Sequence, residues 1–164
     1  MKKTVVIYGS TTGSCEDYAK RIASKLGVDV FNVTDIDSGK IDSYDNLLLG
    51  TSTWGEGDVQ DDWYDGVKLL ADPALKGKTV AIFGCGDAMS YPDSFCGGMA
   101  EIYRAVKDSG MNIVGMVNAA DYNYGASQAV IDDKFIGLAI DINETDSKTE
   151  ERIDKWLDAI KAAL

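Results

Sequence analysis

Five short apolar runs, separated by longer amphipathic or polar stretches, constrain the fold of this chain more than any other feature. The runs are rich in Val, Ile, Leu or Phe and lie at residues 3–9, 28–33, 46–51, 79–84 and 112–117. Helical patterns lie between or after them, at residues 14–26, 61–71, 97–109 and 147–163. Strands that alternate with helices are typical of a parallel sheet with helices on both faces. The sequence therefore predicts an α/β fold.

The last strand is predicted to be split in two. The run at 112–117 is followed by a polar stretch, and a second apolar run then covers residues 135–141. Both runs fit one edge strand that is interrupted by a loop of about twenty residues, at 118–136. Loops of this length inside a compact domain are usually functional or inherited insertions. In the final helix, Trp156 lies on the apolar stripe and is predicted to be a core residue.

The size and residue content exclude several classes of protein. The 164 residues suit a single domain with a proper core. The chain contains no histidine, which excludes catalysis that depends on an imidazole base or a Ser-His-Asp triad. Its three cysteines are too few and too scattered for a disulfide framework or a C-x-x-C zinc site. We therefore expect no metal site.

The net charge of −11 at pH 7 opposes binding to nucleic acid, because that affinity depends on Lys and Arg contacts with phosphates. The charge fits two interpretations: solubility alone, or electrostatic steering toward a partner with a basic face.

No apolar run approaches the roughly 20 residues that a membrane span needs. The run after Lys2 and Lys3 is too short for a signal peptide. The sequence therefore predicts a cytoplasmic protein that does not bind membranes.

A hydroxyl-rich turn follows the first strand. It reads Gly9-Ser10-Thr11-Thr12-Gly13-Ser14-Cys15 and leads into the first helix. Backbone N–H groups and the positive end of the helix dipole favour an anion at such a position. The turn lacks the G-x-x-x-x-G-K and G-x-G-x-x-G patterns, and the missing lysine favours a monophosphate over a triphosphate. The alternative interpretation is that these hydroxyls only cap the helix.

Two further loops follow strands at the same predicted edge of the sheet, where ligands bind in open parallel sheets. The first aromatic loop, residues 50–58, carries Trp54 among glycines, and the second aromatic loop, residues 84–98, carries Tyr91 among small residues. Two aromatic side chains opposite a phosphate site predict a planar ring held between them. Flavin mononucleotide (FMN) fits this combination best. The alternative is that Trp54 folds back over the core.

These motifs resemble those of the flavodoxins, and the resemblance covers the whole chain. The hydroxyl-rich turn is similar to the flavodoxin phosphate loop, T/S-x-T-G-x-T, except that Cys15 stands where a threonine is usual. Thr53-Trp54-Gly55 resembles the first flavin loop of the family. The second flavin loop is matched by Gly84-Cys85-Gly86-Asp87, Tyr91 and Phe95-Cys96-Gly97. The split last strand resembles the long-chain subgroup. The resemblance implies an open, doubly wound, five-stranded parallel sheet in the order 2-1-3-4-5.

The resemblance also implies roles for individual residues. The phosphate is expected to contact Ser10, Thr12 and the backbone of Thr11, Thr12, Gly13, Ser14 and Cys15, with Ser52 as a further donor. Thr53 and Asn143 are expected to reach the ribityl chain, and Trp54 and Tyr91 to stack on the ring. The backbones of Asp87, Ser94 and Cys96 are expected to bond the pyrimidine edge, and the Gly55–Glu56 peptide to face flavin N5. The cofactor-binding set also includes Gly57, Cys85, Gly86 and Phe95.

A thiol is a weaker hydrogen-bond donor than a hydroxyl, so Cys15 is expected to weaken one phosphate contact. At a helix start it could be a reactive thiol when FMN is absent, or an inert one.

The function implied is that of a monomeric, low-potential one-electron carrier that moves electrons between a reductase and acceptor enzymes with basic docking faces. An FMN-dependent quinone or flavin reductase on the same fold is the enzyme alternative. Such an enzyme needs room for a second ligand beside the ring, and Trp54 and Tyr91 are expected to cover both faces. A phospho-receiver domain needs acidic residues after the first strand and an Asp at the end of the third, and neither is present.

Overall fold

The computed structural model describes residues 1–11, 13–54 and 57–164. The strands are β1 (Thr4–Gly9), β2 (Asp29–Asn32), β3 (Asn46–Trp54), β4 (Asp58–Val59), β5 (Thr79–Gly86), β6 (Asn112–Val114), β7 (Val117–Asn118), β8 (Val130–Ile131), β9 (Lys134–Phe135) and β10 (Leu138–Asp141). The helices are α1 (Ser14–Leu26), α2 (Ser38–Asp42), α3 (Trp63–Leu69), α4 (Met99–Val106) and α5 (Asp146–Ile160). Short 3-10 turns cover Val33–Asp35, Pro73–Leu75, Ala119–Asp121 and Lys161–Ala163.

The main sheet runs in the order β10-β5-β3-β1-β2, and the neighbours in this path are parallel. This is the predicted order 2-1-3-4-5 and confirms the doubly wound α/β fold. β4 adds a short antiparallel pairing to the end of β3, which the sequence did not predict. The predicted strands at 46–51 and 79–84 both extend further, to Trp54 and Gly86. Trp54 therefore ends a strand rather than lying within a loop.

The split of the last strand is confirmed. β6 pairs with Thr79–Ala81 of β5, and β10 pairs with the later part, Phe83–Gly86, of the same strand. The inserted segment, residues 115–137, lies between these two pieces. It forms its own antiparallel sheet in the order β7-β9-β8. The turn between β8 and β9 consists of Asp132 and Asp133, which both have positive φ, as a two-residue type I′ turn requires.

The sheet buries both faces, because successive side chains of a strand point to opposite sides. On one face, residues such as Ile7 and Leu49 form a core with α3 and α4. On the other face, Val6 and Leu48 pack with α1 and α5. Trp156 is 3% exposed in this second core, which confirms its predicted place. Its indole N–H donates to the Gly115 carbonyl at 2.8 Å.

The predicted helix at 14–26 matches α1, and the other three helices are shorter than predicted. α3 and α4 each lose residues at both ends, and the predicted helix at 147–163 is α5 followed by a 3-10 turn. α2 was not predicted, since its five residues contain one buried side chain, Ile41, and no helical repeat. Within the described residues, no helix is both long and apolar enough to cross a membrane.

Candidate functional site

An open cavity lies at the carboxyl ends of the central strands, beside the start of α1. Its volume is about 230 Å³. Its wall is formed by Ser14, Ser52, Thr53, Trp54, Cys85, Gly86, Asp87, Tyr91, Ser94, Phe95 and Ile142. β3 and β5 are neighbours in the sheet, so the two aromatic loops that follow them meet at this edge. Gly86 permits the close approach of the second aromatic loop, because a Cβ there would lie 2.8 Å from the Cys96 nitrogen.

All but one of these wall residues belong to the predicted cofactor-binding set. The exception is Ile142, which is 46% exposed directly after β10 and had no signal in the sequence beyond its apolar side chain. Other predicted residues lie outside the wall, namely Ser10, Thr11, Gly13, Cys15, Gly57, Cys96 and Asn143. Thr12, Gly55 and Glu56 lie outside the described residues.

The two aromatic side chains of the cavity are unusually open to solvent. Trp54 is 40% exposed and Tyr91 is 52% exposed, although aromatic side chains of this size are normally well buried. Trp54 does not fold back over the core, so the alternative interpretation of this residue is wrong. Thr53, beside it, accepts the Gly98 N–H at 3.1 Å and thereby joins the first aromatic loop to the second. The arrangement leaves aromatic surface available to a flat ligand.

The hydroxyl-rich turn places backbone donors at the start of α1. Gly13 precedes the helix with φ 92°, and its N–H donates to the Ser10 hydroxyl at 3.1 Å. Among the described residues, no side chain accepts a hydrogen bond from the first turn of α1. The N–H groups at a helix start and the helix dipole form a place that favours an anion.

The Cys15 thiol packs inward rather than toward the turn. Its residue is 1% exposed, and the side chain lies in the core beside Tyr8 and Ala19. The expected thiol contact with a phosphate is therefore wrong, and only the backbone N–H of Cys15 remains for that role. Burial, followed by a hydrogen bond with Cys85, raises the pKa of the Cys15 thiol well above its usual value. Of the two alternatives for this thiol, the structure favours the inert one.

Asp87 fixes a negative charge on the cavity wall. Its carboxylate accepts the Asn143 amide at 2.8 Å and the backbone N–H groups of Ser90 and Met89 at 2.9 and 3.2 Å. The Asn143 bond and then the Ser90 bond hold the pKa of Asp87 below its usual range. Asn143 also donates to Asp141 at 2.8 Å. With its amide protons shared by two carboxylates, Asn143 retains only its amide oxygen for a ribityl hydroxyl.

The inserted segment holds the second aromatic loop from behind. The N–H groups of Gly125 and Ala126 donate to the Pro92 carbonyl at 2.7 and 2.9 Å. The Phe95 N–H donates to the Ala126 carbonyl at 3.2 Å, and the Ser127 hydroxyl donates to the Phe95 carbonyl. These bonds hold Pro92 and Phe95, which directly follow Tyr91 in the second aromatic loop. The segment is therefore joined directly to one wall of the cavity.

An aromatic cluster supports the same wall. The Phe95 ring lies 6.2 Å from that of Tyr122, 5.8 Å from that of Tyr124 and 5.8 Å from that of Phe135, measured between centroids. The Tyr122 hydroxyl donates to the Ala139 carbonyl at 2.7 Å. Three of these four rings come from the inserted segment. These aromatic residues are a sequence signal that could have linked the segment to the site.

Arg152 fastens the inserted segment to α5. Its side chain is 7% exposed and donates to both oxygens of Glu144, at 2.7 and 2.9 Å, and to Asp121 at 3.1 Å. The guanidinium also lies 3.8 Å from the centroid of the Tyr122 ring. Bidentate pairs of this kind are among the stronger charge-assisted contacts in proteins.

In the part of the chain that the structure describes, no group of three or more His, Cys, Asp or Glu side chains is placed to hold a metal ion.

Comparisons with known proteins agree on one family. Residues 6–156 match the family model described as Flavodoxin. The chain is 40% identical to Flavodoxin 1 of Salmonella typhimurium, over 100% of this chain and 96% of the relative. It is 39% identical to the flavodoxin of Klebsiella pneumoniae, over 97% and 93% of the two chains. The crystal structure of Fusobacterium nucleatum flavodoxin bound to flavin mononucleotide is similar with a TM-score of 0.91, at 29% identity, over 100% and 99% of the chains.

Proposed function

This chain belongs to the flavodoxin family, and from that premise we propose that it carries electrons one at a time, at low potential, on non-covalently bound FMN. Flavodoxins are electron-transfer flavoproteins rather than enzymes. We further propose that residues 1–164 form one FMN-binding domain. The observation that supports the proposal best is the pair Trp54 and Tyr91, both half-exposed, on the wall of one cavity beside the start of α1.

The described residues fit FMN at this edge of the sheet. We propose that Trp54 and Tyr91 stack on its ring and that the hydroxyl-rich turn holds its phosphate. Exposed aromatic surface suits a planar ring, and the start of α1, where no described side chain caps the first turn, suits a dianionic phosphate without a lysine. The remaining proposed contacts are those of Ser10, Thr11, Thr12, Gly13, Ser14, Cys15, Ser52, Thr53, Gly55, Glu56, Gly57, Cys85, Gly86, Asp87, Ser94, Phe95, Cys96 and Asn143.

When bound, FMN supplies a ring that can take up and release single electrons. The residues around it decide how easily added negative charge is accepted. Asp87 stays ionised on the wall because its pKa is lowered. A fixed negative charge on the wall repels negative charge added to the flavin, and it therefore lowers the potential of a one-electron step that leaves the flavin anionic.

The cavity mouth also suits contact with a partner protein. Ile142 lines the cavity with Trp54 and Tyr91 and is 46% exposed, and Met89, two residues before Tyr91 in the chain, is 79% exposed, so this edge of the molecule presents apolar surface. The net charge of −11 favours a partner whose docking face is basic. We propose that a reductase and acceptor enzymes dock here. The monomeric state and the cytoplasmic location stay predictions, and light scattering of the purified protein tests the first.

Titration of the apoprotein with FMN tests the proposed function. We expect one FMN per chain, with flavin fluorescence quenched by the stacked aromatic side chains. Tyr91→Ala should weaken FMN binding severalfold. Tyr64→Ala is the matched control, because Tyr64 is 57% exposed and lies outside the cavity wall. A protein that ignores FMN, or that responds equally to both substitutions, would contradict the proposal.

A further inference from the structure

Gln60 is a buried polar residue close to the hydroxyl-rich turn. It lies between β4 and α3 and is 1% exposed, whereas glutamine side chains are mostly found at the surface. Burial of an amide is unfavourable unless its polar atoms are hydrogen-bonded. The partners of Gln60 therefore indicate why a glutamine occupies this position.

The Gln60 side chain joins the hydroxyl-rich turn to the start of α3. Its Nε2 donates to the Thr11 hydroxyl oxygen at 2.9 Å and to an Asp62 carboxylate oxygen at 3.0 Å. Its Oε1 accepts the Asp62 N–H at 3.0 Å, which fixes the orientation of the amide. The backbone N–H of Gln60 donates to the Thr51 hydroxyl at 3.1 Å, so the residue is also held at the end of β3.

Close packing supports the same link. A Cβ on Gly9, where β1 leads into the turn, would lie 2.4 Å from Gln60 Oε1 and 2.8 Å from the Trp63 ring. Only glycine allows the chain to pass this close. Trp63 is fixed in turn by a hydrogen bond from its indole N–H to the Gly50 carbonyl, at 2.8 Å. Gln60 is thus packed against the ends of β1 and β3.

We propose that Gln60 is a positioning residue that holds the hydroxyl-rich turn in the conformation that binds the FMN phosphate. It acts through Thr11, which is exposed and receives its bond from a fully buried neighbour. A turn that is fixed before binding loses less conformational freedom when the ligand arrives. The inference rests on the proposed function, since it assumes that the turn binds the phosphate.

Substitutions at Thr11 test the link at an exposed position, where folding is not at risk. Thr11→Val removes the acceptor for Gln60 and keeps the shape of the side chain, whereas Thr11→Ser keeps the acceptor. Both variants are titrated as apoproteins with FMN and with riboflavin, which has no phosphate. We expect Thr11→Val to weaken FMN about fivefold, the equivalent of one neutral hydrogen bond, and to leave riboflavin unchanged. Thr11→Ser keeps the hydroxyl acceptor, so it should weaken FMN binding less than Thr11→Val does.

Gln60→Met removes the donor, and Asn46→Leu is its matched control. Asn46 is also 1% exposed, and its amide also donates to a threonine hydroxyl, that of Thr4 at 3.0 Å, at the opposite end of the sheet. Both variants should lose stability, but only Gln60→Met should lower the affinity for FMN relative to riboflavin. Combined with Thr11→Val, Gln60→Met should cause no further change in this ratio, because both remove the same bond.

Equal weakening of FMN and riboflavin in Gln60→Met, or wild-type FMN affinity in Thr11→Val, would overturn the positioning role. Failure of the proposed function has a different signature. In that case the wild-type protein itself would bind riboflavin as tightly as FMN, or bind neither.

Discussion

Ser127→Ala tests whether the inserted segment prearranges the second aromatic loop for FMN. The Ser127 hydroxyl donates to the carbonyl of Phe95, a wall residue, and accepts the Ala129 N–H at 3.1 Å. The substitution removes both hydrogen bonds. Since each neutral hydrogen bond contributes about 1 kcal/mol net, we expect the free energy of unfolding of the apoprotein to fall by about 1–2 kcal/mol.

Part of this lost free energy should also weaken the binding of FMN. A loop that is less ordered in the apoprotein must lose more conformational freedom when the ligand binds. If the loop loses about 1 kcal/mol of prearrangement, the dissociation constant of FMN rises about fivefold. Urea unfolding of the apoprotein measures the first effect, and fluorescence titration with FMN measures the second.

Ser109→Ala is the matched control for this experiment. The Ser109 hydroxyl donates to the Val106 carbonyl at 2.6 Å and accepts the Met111 N–H at 3.2 Å, the same bonding pattern at a distance from the cavity wall. Ser109→Ala should therefore lower stability by a similar amount and leave FMN affinity unchanged. If both variants bind FMN as tightly as the wild type, the inserted segment does not prearrange the second aromatic loop for FMN.

Three further predictions concern charge and thiols. Asn143→Ala should raise the pKa of Asp87 toward its ordinary value, which NMR titration measures, and an unchanged pKa would exclude the Asn143 bond as the main cause of the lowered pKa. Because the pKa of Asp87 is lowered in the folded protein, the variant should be less stable than the wild type at pH 7, and this difference in stability should shrink below about pH 3.9. Electron transfer to a partner should slow as the Debye length falls below about 10 Å, and a rate independent of salt would reduce the net charge to a solubility effect. In the apoprotein, a thiol reagent should react first with Cys85, which lines the cavity, and bound FMN should protect it; reaction of another thiol first would contradict this.

The alternation of strands and helices and the loops that form the cavity wall could be predicted from local patterns in the sequence, whereas the strand order was implied by the resemblance to the flavodoxins. A parallel sheet needs apolar runs, and the residues at the ends of neighbouring strands necessarily meet at one edge. Trp54 and Tyr91 could thus be paired without a structure. Their open position, which decides between a ligand site and core packing, required the structure.

The missed features depend on contacts between distant parts of the chain. β7, β8 and β9 have two residues each, too few for a periodic signal, and they are held by the aromatic cluster around Phe95. Their hairpin turn uses Asp132 and Asp133 instead of the Asn-Gly or Asp-Gly pairs that usually mark a type I′ turn. The inward direction of Cys15 and the burial of Gln60 are likewise set by packing, which no local pattern encodes.

A crystal structure of the FMN-loaded protein would show directly where the cofactor binds. We expect the flavin ring between Trp54 and Tyr91, with its phosphate at the hydroxyl-rich turn beside the start of α1. A second cavity lies between the inserted segment and α5, lined by Met116, Tyr122 and Trp156 among others. Flavin bound in this second cavity, or a ring in the first cavity with its phosphate directed away from the turn, would show that the proposed site is wrong.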